Sequence, residues 1–195
     1  MRSGILAAVA LAIPILLPAL PAAAQLLDPD RIVAAATGDF DKDGTNDLVL
    51  LVAPAQDKAD EDHGVYLFLT GETGKLTLKE IVPNLVWGAY DLFGQNASLE
   101  AMANGSFVIV SHNDAIGRDR WEQRLTIAYR NNEFAVAGYT YTGYDTLNPD
   151  AAQSCDINML TGKGKANDKP VAITGKLIYL RDWKDEMGRK PCGLE

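Results

Sequence analysis

This 195-residue chain has few of the groups that polar catalysis and nucleic-acid binding depend on. It contains two histidines, His63 and His112, and two cysteines, Cys155 and Cys192. It carries neither an HExxH zinc-hydrolase signature nor a GxSxG nucleophile elbow. A Ser-His-Asp site on His112 would have to assemble in space, and no local spacing points to one. The run Gly71-Glu72-Thr73-Gly74-Lys75 has glycines too closely spaced for a phosphate-binding loop, and Leu76 stands where that loop needs Ser or Thr. Basic residues are not clustered. Lys and Arg number 18 against 26 Asp and Glu, a net charge of −8, so no surface is equipped to displace phosphate counterions and nucleic acid is excluded as a partner. A low-complexity linker is also absent, and a single domain accounts for residues 25–195.

The first 24 residues have the form of an export signal. Arg2 precedes an apolar stretch from Ile5 to Leu20, and Ala22-Ala23-Ala24 supplies the small residues that a signal peptidase requires before Gln25. Pro14, Pro18 and Pro21 disfavour a retained membrane anchor, and no Cys follows that could carry a lipid. The expected location is the periplasm or the exterior, with no membrane span after cleavage. Removal of residues 1–24 would take away Arg2 and no other charge, leaving a chain one unit more negative. In an exported protein the pair Cys155 and Cys192 is expected as a disulfide, the other reading being two buried thiols.

Apolar runs are short and glycine and proline punctuation is frequent, which predicts an all-β fold of antiparallel hairpins. Expected strands are 32–36, 48–53, 65–69, 76–82, 98–103 and 106–111, the last two joined by Asn104-Gly105, a strong hairpin signal. Further strands are expected at 157–160 and 171–180 around Asn167-Asp168, with loop-rich chain after Asp145 and irregular structure over 181–195. Residues 121–142 alternate apolar and polar with period two. If Asn131-Asn132 is a two-residue turn, Arg130 faces Glu133, Tyr129 faces Phe134 and Ile127 faces Val136. Extended to the strand ends, the same register places Arg124 beside Tyr139 and Glu122 beside Tyr141 on the outer face. There Arg124, Tyr139 and Tyr141 form either a surface suited to a glycan or plain cross-strand packing.

The densest signal is Asp39-Phe40-Asp41-Lys42-Asp43-Gly44-Thr45-Asn46-Asp47-Leu48. Carboxylates at alternate positions 1, 3 and 5, a glycine at 6, a backbone carbonyl at 7 and a carboxylate at 9 give a hard cation such as calcium its oxygens. Without a cation, four carboxylates so close would repel one another. The flanks are strand-like, and position 12 is Leu50 rather than Glu, so this is not an EF-hand. From Gly38 to Leu48 the stretch resembles the calcium loop of FG-GAP/VCBS repeats, the blades of integrin-type propellers. The resemblance covers residues 36–52 and implies calcium ligands at Asp39, Asp41, Asp43, Thr45 (backbone) and Asp47. The motif occurs once, with a faint echo at Gly88-Ala89-Tyr90-Asp91, and the chain is too short for a closed propeller. One blade-like hairpin within another β-fold is expected. Asp57, Asp60, Glu61, Asp62 and His63 form a second acidic run, read as a solvated loop or a further cation site. The functional expectation is an exported calcium-binding module for an envelope protein or glycan, non-catalytic. The alternative is a small periplasmic hydrolase of glycan or cell-wall material with structural calcium.

Overall fold

The computed structural model describes residues 27–88 and 94–194. The expected export signal, residues 1–24, and most of the 88–91 echo lie outside the described residues. The fold is two antiparallel sheets packed face to face, without a closed barrel or propeller. The first sheet is a four-stranded meander in chain order: β1 (Ile32–Gly38), β2 (Asp47–Val52), β3 (His63–Thr70) and β4 (Leu76–Val86). The second has seven strands, also in consecutive order: β5 (Ser98–Ala101), β6 (Ser106–Asn113), β7 (Asp119–Arg130), β8 (Glu133–Asp145), β9 (Asn148–Asn158), β10 (Lys163–Ala166) and β11 (Lys169–Ala172). Between the sheets lie Val49, Leu51, Val65, Leu67 and Val82 from one side and Phe107, Ile127, Phe134, Val136 and Ile157 from the other. Alternate residues of each strand supply this core, as sheet-on-sheet packing requires.

The hairpins form where the turn residues tolerate positive φ. Asn131 and Asn132 at +53° and +63°, and Asn167 and Asp168 at +47° and +62°, close two-residue turns whose twist matches that of the strands. Arg130 pairs with Glu133, Tyr129 with Phe134 and Ile127 with Val136, as the alternation predicts. Beyond that the register slips. Thr126 faces Gly138, so Ala137 is an extra residue on β8, a bulge. A slip of one residue turns every later side chain to the opposite face. Arg124 therefore faces Thr140 and Glu122 faces Thr142, while Tyr139 and Tyr141 pair with Leu125 and Gln123. Both tyrosines enter the core, Tyr139 with no exposure and Tyr141 with 9 %.

The C-terminal part departs from expectation: the 157–160 strand ends at Asn158, and β10 (Lys163–Ala166) was not expected. Strand β9 runs through Asn148–Asn158, where loop-rich chain was expected as far as Ile157, and the expected 171–180 strand is replaced by Lys169–Ala172, which overlaps it at two residues. Most β9 side chains are exposed, so the strand has no apolar alternation to betray it. After β11 the chain crosses to the interior, where Tyr179 bridges Ala135, and short helical turns follow, including α1 (Glu186–Arg189). A disulfide joins Cys155 on β9 to Cys192, with Cα atoms 5.7 Å apart, and fixes this segment over the tyrosine side of the core. Gly188 lies against the Tyr139 ring, where an added Cβ would meet ring atoms at 2.5 Å. Among the described residues, no helix is long and apolar enough to cross a membrane.

Candidate metal centre

The link between β1 and β2 is the aspartate loop. Lys42 at φ +68° and Gly44 at φ +94° make the reversals that turn alternate side chains to one side. Asp39, Asp41 and Asp43 each bring a carboxylate oxygen within 4.8 Å of the others. The loop is internally braced. Gly44 N–H donates to Asp39 Oδ2 at 3.1 Å, Asp43 N–H to Asp41 Oδ1 at 3.1 Å, and Thr45 donates its N–H and hydroxyl to Asp43 Oδ1 at 2.8 and 2.5 Å. The two Thr45 bonds hold the Asp43 carboxyl below its usual range, the hydroxyl contributing most. Asp41 shifts the other way. Burial and then the carboxylates of Asp47, Asp43 and Asp39 raise it, against one backbone hydrogen bond that lowers it. Asp39 Oδ1 is shielded from solvent and has no hydrogen-bond partner among the described residues. An orphaned carboxylate oxygen beside two further carboxylates is the donor set of a hard cation, and the residues present fit calcium.

Asp47 is not one of that mutually close group, although it adjoins Asp41. It is 1 % exposed, and both its oxygens are used. Oδ2 accepts the N–H of Phe40 at 2.9 Å and of Asp41 at 3.3 Å, and Oδ1 accepts the N–H of Thr70, at the end of β3, at 2.9 Å. Thr70 in turn donates its hydroxyl to the Asn46 carbonyl at 2.6 Å. Asp47 thus ties the loop to the neighbouring hairpin through three backbone donors. Phe40, between two of the convergent acids, points the other way into the core, 1 % exposed, with its ring edge-on to Phe107 at 5.2 Å. Gly105 of the β5–β6 turn meets the loop backbone, where a Cβ would stand 2.9 Å from the Asp39 carbonyl oxygen. The loop therefore touches both sheets.

The other singled-out residues are not gathered here. Arg124 stays on the outer face, pairing with Glu100 and, at 3.5 Å, with Glu122. Tyr139 donates its hydroxyl to Gln123 Oε1 at 3.1 Å, and Tyr141 stacks on Trp121 with ring centroids 6.4 Å apart. The expected surface of Arg124, Tyr139 and Tyr141 is thus divided between two faces by the Ala137 bulge, and is corrected on that ground. The His112 ring nitrogens contact Asp114 Oδ2 and the Asn96 carbonyl, each at 2.7 Å, so neither is turned toward a hydroxyl nucleophile. In the 57–62 run, Lys58 pairs with Glu61 at 3.1 Å. Among the described residues these acids form no convergent group of their own. Sequence reasoning missed Thr70, 23 positions from Asp47, because only the pairing of β2 with β3 brings it to the loop. Comparison of the chain with family models, with curated protein sequences and with solved structures returned no match.

Proposed function

We propose that the aspartate loop holds a structural calcium ion and that the protein is an exported, non-catalytic binding or envelope-accessory module. The supporting observation is the convergence of Asp39, Asp41 and Asp43 with one carboxylate oxygen buried and unpartnered. In this reading those three carboxylates and the Thr45 carbonyl hold the ion, and Asp47 holds the loop that presents them. Bound calcium supplies charge neutralisation in place of mutual carboxylate repulsion. A loop whose Phe40 reaches the inter-sheet core transmits that stabilisation to the fold. The resemblance of residues 36–52 to FG-GAP/VCBS loops agrees with the reading, as does the export-type leader.

The functional half of the proposal is tested by affinity capture from envelope extract, with calcium and with chelator. A screen of the same protein against glycosidase, esterase, phosphatase and peptidoglycan substrates runs beside it. The reading predicts calcium-dependent capture of a protein or glycan and no turnover. Turnover that disappears in His112→Ala, with folding retained, would establish the hydrolase alternative.

A further inference from the structure

On the core face of the seven-stranded sheet, the row Leu125, Tyr139, Ile157 across β7, β8 and β9 is buried. The strands continue past it. The next row on that face is Gln123, Tyr141, Cys155, and the one after is Trp121, Gly143, Gln153, with Asp119 beyond on β7. There the aliphatic core has ended and the face opens to solvent. The C-terminal segment, held by the Cys155–Cys192 disulfide, adds a wall, with the Arg189 guanidinium 5.7 Å from the Tyr141 ring centroid. The result is a cleft of about 420 Å³, within the range of about 300–1,000 Å³ usual for small-molecule sites. Its lining combines aromatic surface with free hydrogen-bonding groups. The Trp121 and Tyr141 rings lie within 19° of parallel, and Trp87 packs against Trp121 with centroids 5.0 Å apart. Gly143 makes room for the Tyr141 ring, since an added Cβ would stand 2.8 Å from its hydroxyl oxygen. The Asp119 carboxylate and the Gln153 amide are exposed, and neither takes a hydrogen bond from, or gives one to, another described residue.

We propose that this cleft binds an uncharged oligosaccharide, with Trp121 and Tyr141 against the C–H face of a sugar ring and Asp119 and Gln153 bonded to its hydroxyls. A pyranose ring is apolar on its faces and polar at its rim, which matches aromatic surface set beside a carboxylate and an amide. Charge decides against an ionic ligand. Arg120 and Arg189 balance Asp119 and Asp145 around the cleft, so a phosphate or an ammonium would enter without a net opposite charge to meet it. A second hollow of about 380 Å³ adjoins the first, sharing Arg120, Trp121, Gly143, Tyr144 and Gln153 with it. The site therefore has length for more than one ring. The inference names the ligand class of the binding module proposed above and rests on that reading. It does not rest on the calcium ion, because no residue of the aspartate loop lines the cleft.

Calorimetric titration of residues 25–195 with cellohexaose, xylohexaose, N-acetylchitohexaose and hexagalacturonate tests the proposal, with chromatography of the same samples to detect cleavage. The expected result is saturable one-to-one binding of at least one neutral hexasaccharide, recovered intact, and weaker binding of the anionic hexagalacturonate. Trp121→Ala should weaken binding about tenfold or more. If that variant fails to fold, Asp119→Ala with Gln153→Ala, at two exposed positions, should still weaken it severalfold with an unchanged circular dichroism spectrum. Absence of binding to every neutral hexasaccharide, while capture from envelope extract persists, overturns the inference and leaves the binding-module reading standing. So does binding indifferent to these variants, a preference for hexagalacturonate, or capture of an envelope protein that Trp121→Ala abolishes. Cleavage of the saccharide overturns the non-catalytic reading, and the inference with it.

Discussion

Replacing Asp47 separates bracing of the loop from ligation of the ion. The carboxylate is buried and accepts three backbone N–H groups, two of them in buried surroundings, with Phe40 and Thr70 both at 2.9 Å. Hydrogen bonds to a charged acceptor contribute roughly 1.5–3 kcal/mol each, and a buried donor left unmatched costs about 1–3 kcal/mol. In Asp47→Asn the side-chain amide nitrogen must face one of these donors. If the oxygen keeps the Phe40 and Asp41 bonds, Thr70 N–H meets a donor instead of an acceptor, and the loop loses one of its ties to β3, the hydroxyl bonds of Thr70 to Asn46 and of Thr45 to Thr70 remaining. The expected destabilisation is about 2–4 kcal/mol, with Asp47→Ala at or above the upper end. Urea denaturation followed by circular dichroism, in calcium and in chelator, reads the effect. The loss should persist in chelator, because the three N–H bonds do not require an ion. A loss confined to calcium would make Asp47 a ligand instead, and a loss below about 1 kcal/mol in chelator would refute the bracing argument.

The disulfide and the buried histidine give two further expectations. Cys155→Ser with Cys192→Ser should lower stability by about 4 kcal/mol, an upper-end figure from chain entropy for a closed loop with a sequence separation of 37; urea unfolding with m fitted separately for each protein checks it, and an unchanged stability in water would contradict it. His63 is 2 % exposed, neither ring nitrogen has a partner among the described residues, and burial holds its pKa below the usual 6.5. The unfolded chain therefore takes up a proton near that value while the folded chain resists. Stability should be complete above about pH 6.5 and fall as the pH drops below it, and His63→Leu should flatten this slope. Equal slopes for wild type and variant in chelator would show that other groups set the acid limb.

How much of this was legible depended on whether a residue's role is local. The Asn131-Asn132 turn and its first pairs could be read because two consecutive asparagines permit positive φ and alternation on both sides fixes the register. The bulge at Ala137 could not. Around it the chain reads Ala135-Val136-Ala137-Gly138, small residues that fit either face, so the extra residue leaves no mark in the pattern. Its consequence appears at Tyr139 and Tyr141, which are buried by the slip. The convergence of Asp39, Asp41 and Asp43 was legible because their spacing and Gly44 act within one turn. The use of Asp47 depends on Thr70, supplied by another strand. Strand β9 was illegible because its mostly exposed side chains carry no hydrophobic period. The unbroken apolar run of β2, Leu48-Val49-Leu50-Leu51-Val52, contained more than was read from it: such a run marks a strand apolar on both faces.

Calcium titration of residues 25–195, read as melting temperature and by calorimetry, tests the central claim most directly. A ligand that binds only the native state stabilises it by about 2.7 kcal/mol at a hundredfold excess over Kd. The account predicts that chelator lowers the melting temperature, that calcium restores it, and that Asp41→Ala, folded but low-melting, does not respond to the ion. A wild type that melts at the same temperature in chelator and in millimolar calcium, with no heat of binding, would contradict it.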